Sequence, residues 1–306
     1  LYNYTDGWRV VGEQDYDIAG ADVGAADFNG DGLPDLVVAA PGHEVGPGAA
    51  YIVASSDYDS ADGADGTLDG LIGLGQAAAE PDSWKFTGDV SGVVSTGDVD
   101  GDGNPDLLLS QSNYIAEGES IPPTVLRVVS GSRSALERSD RADGNLDGVI
   151  DLEGLESQTG NWQVKGETAW VDATDVDGDG RADLIVGVQS SERSGRLAYL
   201  INAASIDLNG AGAAIPSLDD ASSGSGSYQF LTYDTSHYVS TAVAAAGDVD
   251  GDGLGDILIG TYNYGGPSPA ATMGYLILAA DLPHLDAEDG RVDGLISLSS
   301  VVRPRR

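Results

Sequence analysis

The chain has 306 residues, no cysteine and one methionine, and 50 acidic side chains against 14 Lys and Arg give it a formal charge of −36. A surface that acidic argues against nucleic acid or an anionic membrane as partner. The missing cysteine excludes disulfides, and no apolar run approaches membrane-spanning length, so no membrane insertion is expected.

In chain order, the first expected element is a short strand at Trp8-Arg9-Val10-Val11-Gly12. A run of small residues at 21–26 follows as strand A of a first repeat. Next come nine residues, Asp27-Phe28-Asn29-Gly30-Asp31-Gly32-Leu33-Pro34-Asp35, and then an apolar run, LVVAA, that reads as buried strand B. Strand C is expected at 50–54 and, after a linker, strand D at Trp84-Lys85-Phe86-Thr87-Gly88. The same order returns three times. Strands A at 93–97, 169–174 and 240–247 lead into loops at 98–106 (DVDGDGNPD), 175–183 (DVDGDGRAD) and 248–256 (DVDGDGLGD). Strands C fall at 125–129, 197–201 and 274–278, and strands D at Trp162-Gln163-Val164 and Tyr228-Gln229-Phe230. The loops start at residues 27, 98, 175 and 248, in steps of 71, 77 and 73, a near-constant period that indicates stacked or radial repeats.

Each loop places oxygen-bearing side chains at positions one, three, five and nine and glycine at six, the order of the first nine positions of an EF-hand-type calcium loop. The expected side-chain ligands are Asp27, Asn29, Asp31 and Asp35 in the first loop and Asp98, Asp100, Asp102 and Asp106 in the second. The third offers Asp175, Asp177, Asp179 and Asp183, and the fourth Asp248, Asp250, Asp252 and Asp256. Position seven would contribute only its carbonyl, which fits its variation among Leu33, Asn104, Arg181 and Leu254. Carboxylates without sulfur or imidazole suit calcium, magnesium or manganese, and a carboxylate-rich shell with a peptide carbonyl suits the larger calcium ion best. Position twelve, Glu in an EF-hand, is Val38, Leu109, Val186 or Ile259, so these loops join strands and not helices. About four calcium ions are expected, because carboxylates gathered this closely repel one another without a cation.

No strand D follows the fourth strand C; its motif stands at Trp8–Gly12 instead. That phase is the one a closed ring requires. The expected fold is all-β, a single domain over 1–306 forming a β-propeller of four four-stranded antiparallel blades closed by the N-terminal strand. The alternative is a fragment of a larger, seven-bladed propeller.

These residues resemble the FG-GAP, or integrin-alpha-type, repeat family. The carriers are small residues followed by GDVDGDG, DLIVG, a G-x-YI-like strand and an aromatic-x-Phe-x-Gly strand, with Ala39-Ala40-Pro41-Gly42 similar to the GAP element. The resemblance implies a β-propeller with calcium in its A–B hairpins, used for adhesion or ligand binding at the cell surface. Two departures stand beside it. Integrin propellers have seven blades against four repeats here, and later copies read Ser110-Gln111-Ser112, Val188-Gln189-Ser190 and Thr261-Tyr262-Asn263 where GAP would stand.

A second recurring segment lies between strands C and D: Asp65 to Ile72 (DGTLDGLI), Asp143 to Ile150 and Asp289 to Ile296. Its would-be loop positions one and three hold Ala61 and Gly63, Ser139 and Arg141, Leu285 and Ala287, so it reads as Asp-Gly turns leading into an apolar anchor and not as metal. The aromatics Trp8, Trp84, Trp162 and Tyr228 recur once per repeat and are expected to pack between blades.

The B–C and D–A connections share the face opposite the calcium loops and vary in length and content. They carry Tyr16, His43, Tyr114, Tyr233, His237, Tyr238, Tyr262 and Tyr264, the candidate ligand-binding residues. The expected function is a calcium-stabilised extracellular or cell-surface binding and adhesion propeller that recognises a protein or a carbohydrate there. The alternatives are a self-assembling structural subunit of a surface filament, and a calcium-dependent polysaccharide lyase using His43 or His237 with a tyrosine. No catalytic residue is assigned, because no nucleophile elbow, phosphate loop or zinc pattern appears and the loops carry few cations to hold a uronate. The chain starts at Leu1 and not Met, as expected if a targeting segment has been removed.

Overall fold

The computed structural model describes residues 7–42, 48–88, 90, 94–111, 124–166, 168–190, 195–208, 216–231, 238–264, 273–299 and 301. Its small and β-branched runs form strands, because alternate side chains can be buried on the two faces of a sheet. Strand β1 (Arg9–Val11) comes first. The first repeat then supplies β2 (Asp22–Ala26), β3 (Asp35–Ala40), β4 (Ala49–Val53), the short helix α1 (Tyr58–Gly63), β5 (Leu71–Gly73), α2 (Leu74–Ala77) and β6 (Trp84–Thr87). The second supplies β7 (Val94–Gly97), β8 (Asp106–Gln111), β9 (Thr124–Val129), α3 (Arg133–Asp140), β10 (Val149–Asp151) and β11 (Asn161–Gly166). The third has β12 (Thr168–Thr174), β13 (Asp183–Ser190), β14 (Arg196–Ile201), α4 (Leu218–Ala221) and β15 (Tyr228–Leu231). The fourth has β16 (Tyr238–Gly247), β17 (Asp256–Tyr264), β18 (Met273–Ile277), α5 (Leu282–Asp286) and β19 (Leu295–Ser297).

Within each repeat the first three strands pair antiparallel in chain order, and in the first three repeats β6, β11 and β15 add the fourth antiparallel strand. Position nine of each loop opens the second strand opposite the last residue of the first: Asp35 against Ala26, Asp106 against Gly97, Asp183 against Thr174 and Asp256 against Gly247. The sheets stack in sequence, with β2 against β7, β7 against β12 and β12 against β16.

Strand residues alternate between the two neighbouring sheets. Leu107, Leu109 and Val129 pack with Val37, Ile52 and Phe86 of the first repeat. Leu108, Leu126 and Val128 pack on the other face with Leu184, Val186 and Ile201 of the third. Ile185, Leu200 and Phe230 meet Ile257, Ile259 and Ile277 of the fourth. Each such side chain, fully withdrawn from water, contributes about 1.5–3 kcal/mol, so the three seams hold the array together.

Two features differ from expectation. The linkers contribute strands of their own: β10 pairs parallel with β6 (Ile150 opposite Phe86), and β19 pairs parallel with β15 (Ile296 opposite Phe230). In the third repeat this shrinks to one bridge, Lys165 to Ser217. The other concerns closure. Strand β1 pairs parallel with β5, Val10 opposite Ile72, and not with β18. No sheet closes on itself among the described residues, and the fourth has three antiparallel strands of its own, joined to the third where Gln189 and Ser190 meet Ser240 and Val239. The physical reason is that a D strand has two edges. In β6 and β15 one edge meets strand C and the other meets the next repeat's linker; in β1, among the described residues, only the second edge is filled.

Candidate metal centres

The four nine-residue loops fold alike because the sequence fixes their backbone. Glycines at positions four and six are left-handed, with φ of +75° and +87° at Gly30 and Gly32 and +79° and +88° at Gly178 and Gly180, a region where only glycine is free of strain. The turn wraps around the position-one carboxylate. Asp98 Oδ1 accepts from the N–H of Gly101 at 2.7 Å and of Asp102 at 3.1 Å, and its Oδ2 accepts from Gly103 at 2.9 Å. Asp27, Asp175 and Asp248 repeat the bonds to positions four and six. Position five receives the N–H of position seven: Leu33 to Asp31, Asn104 to Asp102, Arg181 to Asp179 and Leu254 to Asp252, at 2.8–2.9 Å.

Position nine lies beneath. Asp35, Asp106, Asp183 and Asp256 are wholly buried. One oxygen accepts from the position-two N–H, at 2.8 Å for Phe28 and Val99, 3.0 Å for Val176 and 2.9 Å for Val249. The other accepts from a residue just beyond strand C: Ser55 at 2.9 Å, Gly131 at 3.1 Å, Ala203 at 2.7 Å and Ala279 at 2.9 Å. Burial pushes Asp106 up to about 7, helped by the charge of Asp100, and pushes Asp183 up to about 6; Asp35 is raised by burial as well. Asp100 is itself raised by burial and by the charges of Asp102 and Asp98. Backbone N–H groups oppose the rise at Asp106 and Asp183 without cancelling it.

In three loops the carboxylates of positions one, three and nine converge, with one oxygen from each lying within 4.8 Å of the others: Asp98, Asp100 and Asp106; Asp175, Asp177 and Asp183; Asp248, Asp250 and Asp256. These all-oxygen clusters could hold a metal ion, and their donor chemistry fits a hard cation. The first loop has the same backbone but an amide at position three. There Asn29 Nδ2 donates to Asp31 Oδ2 at 3.1 Å. Successive loops are also laced together. Ala182 N–H donates to Asp98 carbonyl at 2.6 Å, and Gly255 N–H to Asp175 carbonyl at 2.7 Å. The equivalent donor towards the first loop is absent, because position eight of the second loop is Pro105. Position seven leans on the preceding loop: a Cβ on Gly101 would meet Arg181 carbons, and one on Gly178 would meet Leu254.

The second Asp-Gly segments are built differently, and sequence reading missed their principal residue. Buried Asp62 accepts the N–H groups of Asp69, Gly70 and Leu71 on one oxygen at 3.0–3.1 Å. Asp140 accepts from Asp147 on Oδ1 and from Gly148 on Oδ2, and Asp286 accepts from Asp293 and Gly294 on one oxygen. The available signal was an Asp three residues before each Asp-Gly pair, at 62, 140 and 286. The turns end in the buried anchors Ile72, Ile150 and Ile296.

Of the candidate ligand-binding residues, Tyr16 is exposed and left-handed, with φ of +71°. His43, Tyr114, Tyr233 and His237 lie outside the described residues. Tyr238, Tyr262 and Tyr264 are placed by backbone in β16 and β17, and their side chains lie outside the described residues too. Among the repeated aromatics, Trp84 is buried in the first seam, and Trp162 and Tyr228 pack against the second and third. Trp8 is exposed, its ring 5.1 Å from that of Tyr58.

A family model described as FG-GAP repeat matches residues 19–53, 168–200 and 240–277. The chain carries FG-GAP repeats. Each match runs from strand A through the loop to strand C, and the unmatched second repeat has the same elements in the same order. These repeats point to an integrin-like binding propeller, are typical of extracellular proteins and generally mediate protein interactions. A search of curated proteins returned no match. No helix among the described residues is long and apolar enough to cross a membrane.

Proposed function

We propose that the chain is a calcium-stabilised extracellular binding module whose four A–B loops hold one ion each and whose opposite face meets a protein or a glycan. The observation that carries the reading is the convergence of three carboxylates in loops 98–106, 175–183 and 248–256, each including a buried Asp; in the first two of these, burial holds that Asp, Asp106 or Asp183, well above its ordinary range. Removing charged oxygens from water costs stability unless an opposite charge sits among them. The carboxylates of positions one, three and nine would hold the ion, with position five and the position-seven carbonyl as further donors. The first loop would use Asn29 Oδ1 at position three. When bound, the ion supplies positive charge that neutralises the cluster. The backbone N–H groups already orient the oxygens, so little of the loop has to be ordered on binding.

Adhesion or ligand capture follows from the repeat type and from variable connections on the face away from the loops. A subunit of a surface assembly is the second reading, and the apolar side chains exposed at both ends of the array favour it.

Thermal unfolding in calcium and in chelator tests the metal reading. At 10 mM calcium, a site with a dissociation constant of about 10⁻⁴ M contributes about 2.7 kcal/mol, and the effect rises with the number of occupied sites. A melting temperature indifferent to chelator would refute it. A glycan array and a binding screen against extracellular proteins, both in calcium buffer, address the partner.

A further inference from the structure

The two ends of the array are complementary. In the first three repeats, three apolar side chains per repeat point at the following sheet: Phe28, Val37 and Ile52; Val99, Leu108 and Val128; Val176, Ile185 and Leu200. None is more than 4% exposed. Their fourth-repeat counterparts, Val249, Leu258 and Leu276, are 54%, 42% and 42% exposed. Strand β18 also ends its sheet, with a free edge among the described residues. At the other end Val23 is exposed where its counterpart Val171 is buried, and Trp8 is exposed where Trp84 is buried. Among the described residues, strand β1 has its linker partner β5 but no strand C.

We infer that β1 of one copy of this chain adds to β18 of a second copy, completing the fourth sheet head to tail. The register is fixed by the other repeats. Trp84 faces Ile52, Trp162 faces Val128 and Tyr228 faces Leu200. In turn Ile52, Val128 and Leu200 face the second residue after position nine, as Leu276 faces Leu258. Trp8 therefore falls opposite Leu276, Arg9 opposite Tyr275 and Val10 opposite Gly274. Arg9 over Tyr275 repeats the contact in which Lys85 Nζ lies 5.6 Å from the ring centre of Tyr51. The composite order β16-β17-β18-β1-β5 reproduces the first sheet, β2-β3-β4-β6-β10, strand for strand. Strand addition satisfies the exposed edge, and the incoming first repeat covers Leu258 and Leu276. The contact is heterologous, so it builds rings or filaments. A charge of −36 on each copy opposes it, so association strengthens with ionic strength.

The absence of cysteine makes the test clean. Trp8→Cys and Leu276→Cys are prepared as separate full-length variants, mixed, and oxidised in 0.5 M salt with calcium present. The substituted positions are exposed, and circular dichroism confirms folding. The expected product is a reducible covalent dimer of twice the 31.2 kDa chain, formed in the mixture and from neither variant alone. The pair Arg9→Cys and Tyr275→Cys should behave the same way. Light scattering of the unmodified chain should show mass rising with concentration, and Leu276→Asp should hold it at 31.2 kDa. A cross-link that forms only within the Trp8→Cys/Leu276→Cys double variant, at monomer mass, overturns the inference in favour of closure by the chain's own strand. Folded variants that give no cross-link in either arrangement overturn it too. The outcome does not depend on the metal reading, which is judged by the chelator melts.

Discussion

Three of the four repeats contain two Asp- and Gly-rich turns, and these spend their carboxylates in opposite ways. In loop 98–106 three carboxylates converge, and the innermost, Asp106, is buried with its acidity suppressed. In segment 140–150 the buried Asp140 hands both oxygens to backbone N–H groups of its own turn, and the described residues there form no cluster of three metal-ligating side chains. Both are rich in Asp and Gly; the difference lies in whether charges are gathered or dispersed. Gathered carboxylates need a counter-ion, whereas dispersed ones have already traded water for amide hydrogen bonds.

The largest effect should come from Asp106→Ala. It strands the buried N–H groups of Val99, Asp100 and Gly131 and should cost about 3 kcal/mol or more in calcium. Denaturant titration with and without calcium should show most of that loss persisting in chelator. Asp140→Ala should cost about 2 kcal/mol for two lost acceptor contacts, and should leave the calcium titration curve unchanged; a shifted curve would mean that the segment also takes part in metal binding.

pH offers a further test of the gathered carboxylates. Asp106 and Asp183 are raised above their unfolded values to about 7 and about 6. The metal-free folded state thus holds more protons than the unfolded state between about pH 4 and 7, and stability should fall as pH rises through that window. Calcium competes with those protons, so the trend should flatten or reverse in its presence. Asp102→Ala, at an exposed position-five side chain, should weaken one calcium site with about 1 kcal/mol lost in calcium and little in chelator. Smallest of all, Asp69→Ala removes an exposed carboxylate and should stay within about 0.5 kcal/mol.

The four loops, the apolar runs that follow them, and the D-strand aromatics were legible because each is a local pattern repeated in one chain. The strands β5, β10 and β19 were not. They are three residues long, and their partners are distant: Asp151 sits opposite Thr87, a pairing that no local periodicity announces. The role of Trp8–Gly12 was half legible. Its likeness to Trp84–Gly88 gives the kind of strand, whereas the edge it fills depends on which neighbour is present. Asp62, Asp140 and Asp286 were hidden because their work is done on main-chain groups seven to nine residues away, where side-chain identity leaves no trace.

The buried position-nine carboxylates also pin distant stretches of chain: 35 to 55, 106 to 131, 183 to 203 and 256 to 279. In a protein without cysteine they take the place that a disulfide staple fills elsewhere. Such a link has no covalent bond to re-form. A denatured chain should recover it without an oxidant, and a reducing medium that opens disulfides leaves it intact.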